Sequence, residues 1–168
     1  MKKKTILTIS LIMIIVGAIF LIIYAKSEHS VKGQDELYDL AIEYLKNETE
    51  IENKRLGEHD YANFFSYDGF AITAKGNYRY AYMWILSETY YSEGDKIISD
   101  HGSSMFYKFT FTGDEVFKYE IPKDGNEYAP SIEKMCPKRI SKKVLNYEPH
   151  LSNEDDIKEY FSSDKKVE

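Results

Sequence analysis

The side chains best suited to acid–base or metal chemistry are four scattered histidines, which are His29, His59, His101 and His150. No two of them stand at a metal-ligand spacing. The pairs His59-Asp60 and Asp100-His101 could meet in space to bind a metal or to catalyse hydrolysis. Both pairs lie beside turn residues, however, where histidines are usually solvated. We therefore expect no catalytic residue, metal or cofactor, and a small hydrolase built on His59, Asp60 and His101 is the alternative.

The sequence gives only weak evidence for a nucleophilic serine or cysteine. Ser103 and Ser104 follow Gly102, a pattern far more typical of a turn than of an active serine. Cys136 is the only cysteine, so the chain forms no internal disulfide. We expect Cys136 to be a partly buried small hydrophobic side chain, with an intermolecular disulfide as the alternative.

Tyrosine is unusually abundant, with 15 residues, all but Tyr24 outside the N-terminal apolar run. Its rigid apolar ring and polar tip suit surfaces that bind peptides or sugars. They also suit the half-exposed face of an antiparallel sheet, which is the simpler interpretation. If the sheet does bind a partner, the first candidates are Tyr80, Tyr82, Tyr107 and Tyr119.

A basic cluster is formed by Lys138, Arg139, Lys142 and Lys143. It stands out because residues 27–168 hold 18 basic and 28 acidic side chains. An acidic domain repels nucleic acid, which we exclude as a partner, but the cluster could contact lipid headgroups, an anionic wall polymer or an acidic protein face. A solvated loop is the simpler interpretation.

The location of the protein depends on the uncharged stretch from Thr5 to Tyr24, which follows Lys2, Lys3 and Lys4. Twenty helical residues span about 30 Å, the thickness of the hydrocarbon core of a membrane. The run is longer than the apolar part of a cleaved signal peptide, so residues 1–25 are predicted to be a signal-anchor transmembrane helix. The positive-inside rule places the N-terminus in the cytoplasm and the rest outside. A cleaved signal, leaving a secreted effector or inhibitor, is the alternative.

The rest of the chain predicts one domain at residues 35–161, preceded by a linker at 26–34 and followed by a charged tail at 162–168. Helical spacing of apolar residues predicts an amphipathic helix from Asp35 to Asn47, with Leu56 as its furthest end. Short runs rich in aromatic and β-branched residues then predict strands. These strands are Phe70–Ala74, Tyr78–Tyr91, Lys96–Ser99, Ser104–Thr112 and Val116–Ile121.

The strand from Tyr78 to Tyr91 is apolar on both faces, so we expect it at the centre of the sheet with both faces covered. Gly113-Asp114 predicts a hairpin turn, and residues 58–69 and Asp100-His101-Gly102 predict connections. Short helices are expected near Ser131–Cys136 and Asn153–Phe161.

A helix followed by a meander of three to five antiparallel strands predicts an α+β domain with the helix packed on one sheet face. This element order, over residues 35–121, is similar to that of small cystatin-like and NTF2-like ectodomains, which implies a binding or assembly module. The expected function is thus a single-pass membrane protein of a bacterial cell envelope, with a non-catalytic domain outside the membrane that binds a protein partner or a wall component.

Overall fold

The computed structural model describes the backbone of residues 2–56, 59–94 and 96–163, and the side chains of residues 12–24, 26–54, 59–94 and 96–162. Gly57, Glu58, Asp95 and most of the charged tail lie outside the described residues. Ten elements follow one another, with a short 3₁₀ turn at Gly125–Glu127. They are α1 (Lys2–Lys26), β1 (His29–Val31), α2 (Glu36–Leu56), β2 (Tyr61–Lys75), β3 (Tyr78–Glu93), β4 (Lys96–Thr112), β5 (Glu115–Glu120), α3 (Tyr128–Met135), α4 (Lys138–Leu145) and α5 (Glu154–Ser163).

The five strands form one antiparallel sheet in the order β1-β2-β3-β4-β5. The predicted α+β class and the antiparallel meander are therefore confirmed. Gly113 adopts φ 60° in the turn between β4 and β5, as the predicted hairpin requires, because only glycine enters this region without strain.

One face of the sheet is covered by α2. Leu37, Ala41 and Leu45 of this helix pack against Met83 of β3 and Phe109 of β4, all at least nine-tenths buried. The acidic residues Glu36 and Asp39 lie in the first turn of the helix, where its dipole favours negative charge. The predicted amphipathic helix is confirmed, and it runs to its furthest expected end at Leu56.

The opposite face is covered by α3 and α4. Ile132 and Val144 of these helices pack against Tyr82 of β3 and Phe106 of β4. Farther along the sheet, Phe161 of α5 closes a third cluster against the β2 side chains of Ala62 and Phe64. The prediction that β3 is central and covered on both faces is confirmed.

The segment from Tyr61 to Asp68 is part of a strand, although its sequence predicts a connection. The residues of β2 from Tyr61 to Lys75 pair with β3 along almost its whole length. Asn, Ser, Asp and Gly are poor strand formers, so local propensity hides this strand. Pairing with β3 and burial of Ala62 and Phe64 override that weak local preference.

The predicted turn at Asp100-His101-Gly102 is also wrong, since β4 continues through it. Tyr90 pairs with Ser99 and Thr89 pairs with His101, which leaves Asp100 as the extra residue of a β-bulge. The turn-forming residues Asp100 and Gly102 therefore lie at a β-bulge inside one long strand and do not end it.

The segment at 26–34 was expected to be a linker, but it contains β1. His29, Ser30 and Val31 pair with Ala74, Thr73 and Ile72 of β2. The chain that leaves α1 therefore joins the sheet within a few residues.

The helix α1 makes little contact with the domain. From Ile12 to Tyr24 its large apolar side chains have exposed fractions between 48% and 68%. Judged on the residues with described placement, none of the helices meets the length and hydropathy needed for a membrane span.

Candidate functional site

Tyr82, one of the four candidate tyrosines, lies in the core and is fully buried. Its hydroxyl donates a 2.6 Å hydrogen bond to the Glu28 carboxylate, which also accepts a 2.6 Å hydrogen bond from Thr73. Burial, together with the Glu28 carboxylate, raises the pKa of Tyr82. Tyr82 therefore cannot contact a partner directly, and its role is to hold the segment between α1 and β1.

Tyr80 is half-buried on the same face, beside the edge strand β5. The Lys108 ammonium group lies 5.1 Å from the centre of the Tyr80 ring and 3.7 Å from the Glu120 carboxylate. Burial is the main cause that raises the pKa of Tyr80. Tyr80 and Lys108 line a shallow depression of about 290 Å³.

Tyr107 and Tyr119 lie on the other face of the sheet, next to α2. Their ring centres are 5.8 Å apart, and Tyr119 also meets Tyr44 of α2 with its ring centre 6.2 Å away. Tyr119 keeps an exposed fraction of 40%, whereas Tyr107 is half-buried. Since consecutive strand residues point to opposite faces, the four candidate tyrosines are split between two faces and do not form one binding surface.

The basic cluster, by contrast, forms one continuous surface on α4. Pro137 starts this helix, and its carbonyl accepts hydrogen bonds from the N–H groups of Ile140 and Ser141. Ile140, Ser141 and Val144 are buried, which turns the basic side chains outward. The exposed residues are Lys138, Arg139, Lys142 and Lys143.

None of these four basic side chains forms an ion pair with a carboxylate in the described part of the chain. Lys143 only reaches the Phe70 carbonyl, at 3.5 Å. The cluster is visible in the sequence, where a solvated loop was the simpler interpretation. The segment is a helix instead, which explains why the charges share one direction. We call this surface the basic face of α4.

His101 belongs to a polar chain that bridges three strands and α2. Its Nδ1 lies 2.7 Å from the Asp100 carboxylate and its Nε2 lies 3.2 Å from the Thr89 hydroxyl. Thr89 donates a 2.8 Å hydrogen bond to the Asn63 side-chain oxygen, which also accepts one from Asn53. Thr89 is only 3% exposed, so this chain of bonds ties strands together and does not present a nucleophile to solvent.

His59, the other histidine of the hydrolase alternative, has different contacts. Its ring stacks on that of Tyr91 with the ring centres 4.0 Å apart. Among the described residues, no three His, Cys, Asp or Glu side chains are grouped so that they could hold a metal ion. The hydrogen bonds of the polar chain of His101 include neither His59 nor Asp60.

Cys136 is a free, buried thiol with an exposed fraction of 8%. It packs against Tyr82 and Ile140 in the core beneath α3 and α4. Burial is the main cause that raises the pKa of this thiol to about 12. An intermolecular disulfide would require this core to open.

A cleft that the sequence did not predict lies at the outer edge of β2. It has a volume of about 280 Å³ and is lined by the β2 residues 61–64, by Lys46 and Glu50 of α2, and by Tyr160 of α5. Consecutive residues of a strand point to opposite faces, so a cleft that touches four in a row must lie against the strand's edge. Because the sequence patterns of residues 61–68 hid the strand itself, they could not reveal its open edge.

Comparisons with protein-family models, with curated proteins and with solved structures found no match for this chain.

Proposed function

We propose that this protein is a single-pass membrane protein with its N-terminus in the cytoplasm and a non-catalytic binding domain just outside the membrane. The basic face of α4 is the surface that meets the partner. The partner carries carboxylate or phosphate groups, as an acidic protein face or an anionic wall component does.

The observation that carries the proposal is the apolar character of α1. Its large side chains from Ile12 to Tyr24 are exposed on every side of the helix instead of being packed against the domain. A helix that is apolar all round is stable only when something covers it, and the apolar run from Thr5 to Tyr24 has the length of a bilayer core. Lys2, Lys3 and Lys4 before it favour a cytoplasmic N-terminus.

The junction between α1 and the domain supports close attachment to the membrane. Tyr24 stacks on His29 with the ring centres 4.3 Å apart, and Glu28 binds the buried Tyr82. Tyrosine is common at the level of lipid headgroups. The domain would therefore sit directly on the bilayer without a flexible tether.

The basic face of α4 supports the choice of partner. The four cations form no ion pair among the described residues, so on an otherwise acidic domain they produce a local positive potential that attracts anions. Lys138, Arg139 and Lys142 are exposed, so a partner can reach them without unfolding the domain.

The test of the proposed topology uses intact cells that express the full chain with a tag at its C-terminus. We expect full-length protein in the membrane fraction, with the tag removed by external protease, while a tag at the N-terminus stays protected. A shorter protein in the medium would indicate a cleaved signal. A C-terminal tag protected in intact cells, with the protein in the membrane, would reverse the orientation.

A further inference from the structure

A depression of about 440 Å³ lies where the end of α1 meets the turn between β2 and β3. The residues that line it are Lys26, Lys75, Gly76, Asn77, Tyr78 and Tyr80. Lys75 is the last residue of β2 and pairs with Tyr78, the first residue of β3, so the depression lies at one end of the sheet. We call it the depression beside α1.

The lining of this depression carries two cations and no carboxylate. Lys26 and Lys75 are exposed, and neither forms an ion pair in the described part of the chain. Three acidic residues lie near this end of the sheet but outside the lining: Glu28 accepts buried hydrogen bonds, Asp114 is ion-paired, and Glu115 is on β5. The depression therefore offers positive charge to an anion.

The position of Lys26 along α1 relates the depression to the bilayer. Lys26 follows Tyr24, the last residue of the apolar run, by two residues, which is a helical rise of about 3 Å. The headgroup layer on each side of the hydrocarbon core is about 5–7 Å thick. With Thr5 to Tyr24 in the core, as proposed above, Lys26 lies at the level of the lipid phosphates. Lys75 lines the same depression and lies beside that layer.

Exposed aromatic rings adjoin the two lysines. Tyr78 has an exposed fraction of 42% and Phe117 of β5 one of 64%, with their ring centres 6.1 Å apart. Both rings line the neighbouring depression of about 290 Å³, so the two depressions meet at Tyr78. Lysines combined with exposed aromatic side chains are typical of surfaces that lie in the headgroup layer.

We propose that the depression beside α1 binds the phosphate group of an anionic phospholipid through Lys26 and Lys75, with Tyr78 and Phe117 against the lipid. Two exposed lysines bind a free phosphate ion weakly. The proposed anchor changes this, because it holds the headgroups at a high effective concentration beside the depression. The inference rests on the proposed function and deepens it by naming the surface with which the domain contacts the bilayer.

The experiment uses the full-length protein in lipid nanodiscs of phosphatidylcholine with increasing fractions of phosphatidylglycerol. An environment-sensitive dye is attached to Asn77→Cys, and the buried native Cys136 gives little background. The matched dye site is Ser92→Cys, beside the β3–β4 turn at the opposite end of the sheet. We expect the dye at residue 77 to brighten as phosphatidylglycerol increases, and the dye at residue 92 to stay unchanged.

Charge variants then test the role of the lysine. Lys75→Gln should lower the equilibrium constant for brightening at residue 77 about fivefold, because a lysine near an anionic bilayer surface loses its attraction to the headgroups. The matched control is Lys96→Gln at the opposite end of the sheet, which should leave the constant unchanged. Soluble glycerol phosphate, added to the protein in uncharged micelles, should leave the dye unchanged.

Three outcomes would overturn the proposal: equal brightening in pure phosphatidylcholine, equal losses for Lys75→Gln and Lys96→Gln, or brightening by soluble glycerol phosphate, which would make a free phosphate the ligand. Co-elution of the protein with the nanodiscs is measured separately. Protein that enters the discs with a dye that does not respond contradicts this inference alone, whereas protein that stays out of the discs contradicts the proposed function as well.

Discussion

The Tyr82 hydroxyl and the Glu28 carboxylate, 54 residues apart in sequence, form a 2.6 Å hydrogen bond that joins the core of the sheet to the end of α1. Glu28 accepts a second hydrogen bond, from Thr73, at 2.6 Å. Tyr82 and Thr73 are almost fully buried, so this carboxylate accepts hydrogen bonds from two hydroxyls that water does not reach. The position of the segment between α1 and β1 is thus decided inside the domain.

This bond predicts a specific loss of stability. Replacing Glu28→Ala removes the acceptor that the two buried hydroxyls share, which should lower the free energy of unfolding by about 1–3 kcal/mol. Urea denaturation of the full chain in micelles measures the change. The matched control is Glu36→Ala, because Glu36 is exposed on α2.

A double-mutant cycle separates the bond from general effects of substitution. Tyr82→Phe removes one donor, and combining it with Glu28→Ala should cost less than the two single losses together. Strict additivity of the two losses would show that Glu28 and Tyr82 do not interact as described.

The basic face of α4 predicts charge-dependent binding. Lys142→Glu and Arg139→Glu should each weaken binding to polyglutamate or polyphosphate by about fivefold or more, since a cation near an anionic surface contributes about 1 kcal/mol. The effect should shrink at high salt. Binding by fluorescence anisotropy at two ionic strengths provides the measurement.

The control for the basic face is Lys134→Glu on the neighbouring helix α3, which reverses an exposed charge outside the cluster. Equal losses in all three variants would assign binding to overall charge and not to α4. Neither α4 variant should change the urea midpoint, because both side chains point to solvent.

The buried thiol predicts a loss of stability at alkaline pH. The pKa of Cys136 is raised from 9.0 to about 12, mainly by burial, so the native state keeps its proton where the unfolded chain has lost it. Its contribution to stability is complete below pH 9 and is lost as the pH rises toward 12. Tyr38, whose pKa is raised from 10.0 to about 12 mainly by burial, acts in the same direction from pH 10.

The measurement is the free energy of unfolding at pH values between 7 and 11. Cys136→Ala should lose stability less steeply than the parent above pH 9, even if its stability at pH 7 is lower. Parallel pH curves for the parent and Cys136→Ala would contradict the assignment of this slope to the thiol.

The sequence predicted the candidate site only where its residues are close neighbours in the chain. The basic cluster of four residues within a six-residue span was visible in the sequence, and helical geometry turned it into one surface. The tyrosines Tyr80 and Tyr82 were sensible candidates by residue type. Their burial depended on α3 and α4, whose packing against β3 no local pattern reveals.

The sequence by itself determined the apolar α1, the amphipathic α2, the central strand β3 and the hairpin at Gly113. Each follows from the periodicity of neighbouring residues or from the backbone freedom of one glycine. Only the tertiary structure decided that residues 61–68 are a strand, that β1 pairs with only three residues of β2, and that Glu28 holds Tyr82. These features arise from contacts between residues far apart in the chain, such as Asn153 with Phe64, where pairing and burial outweigh local propensity.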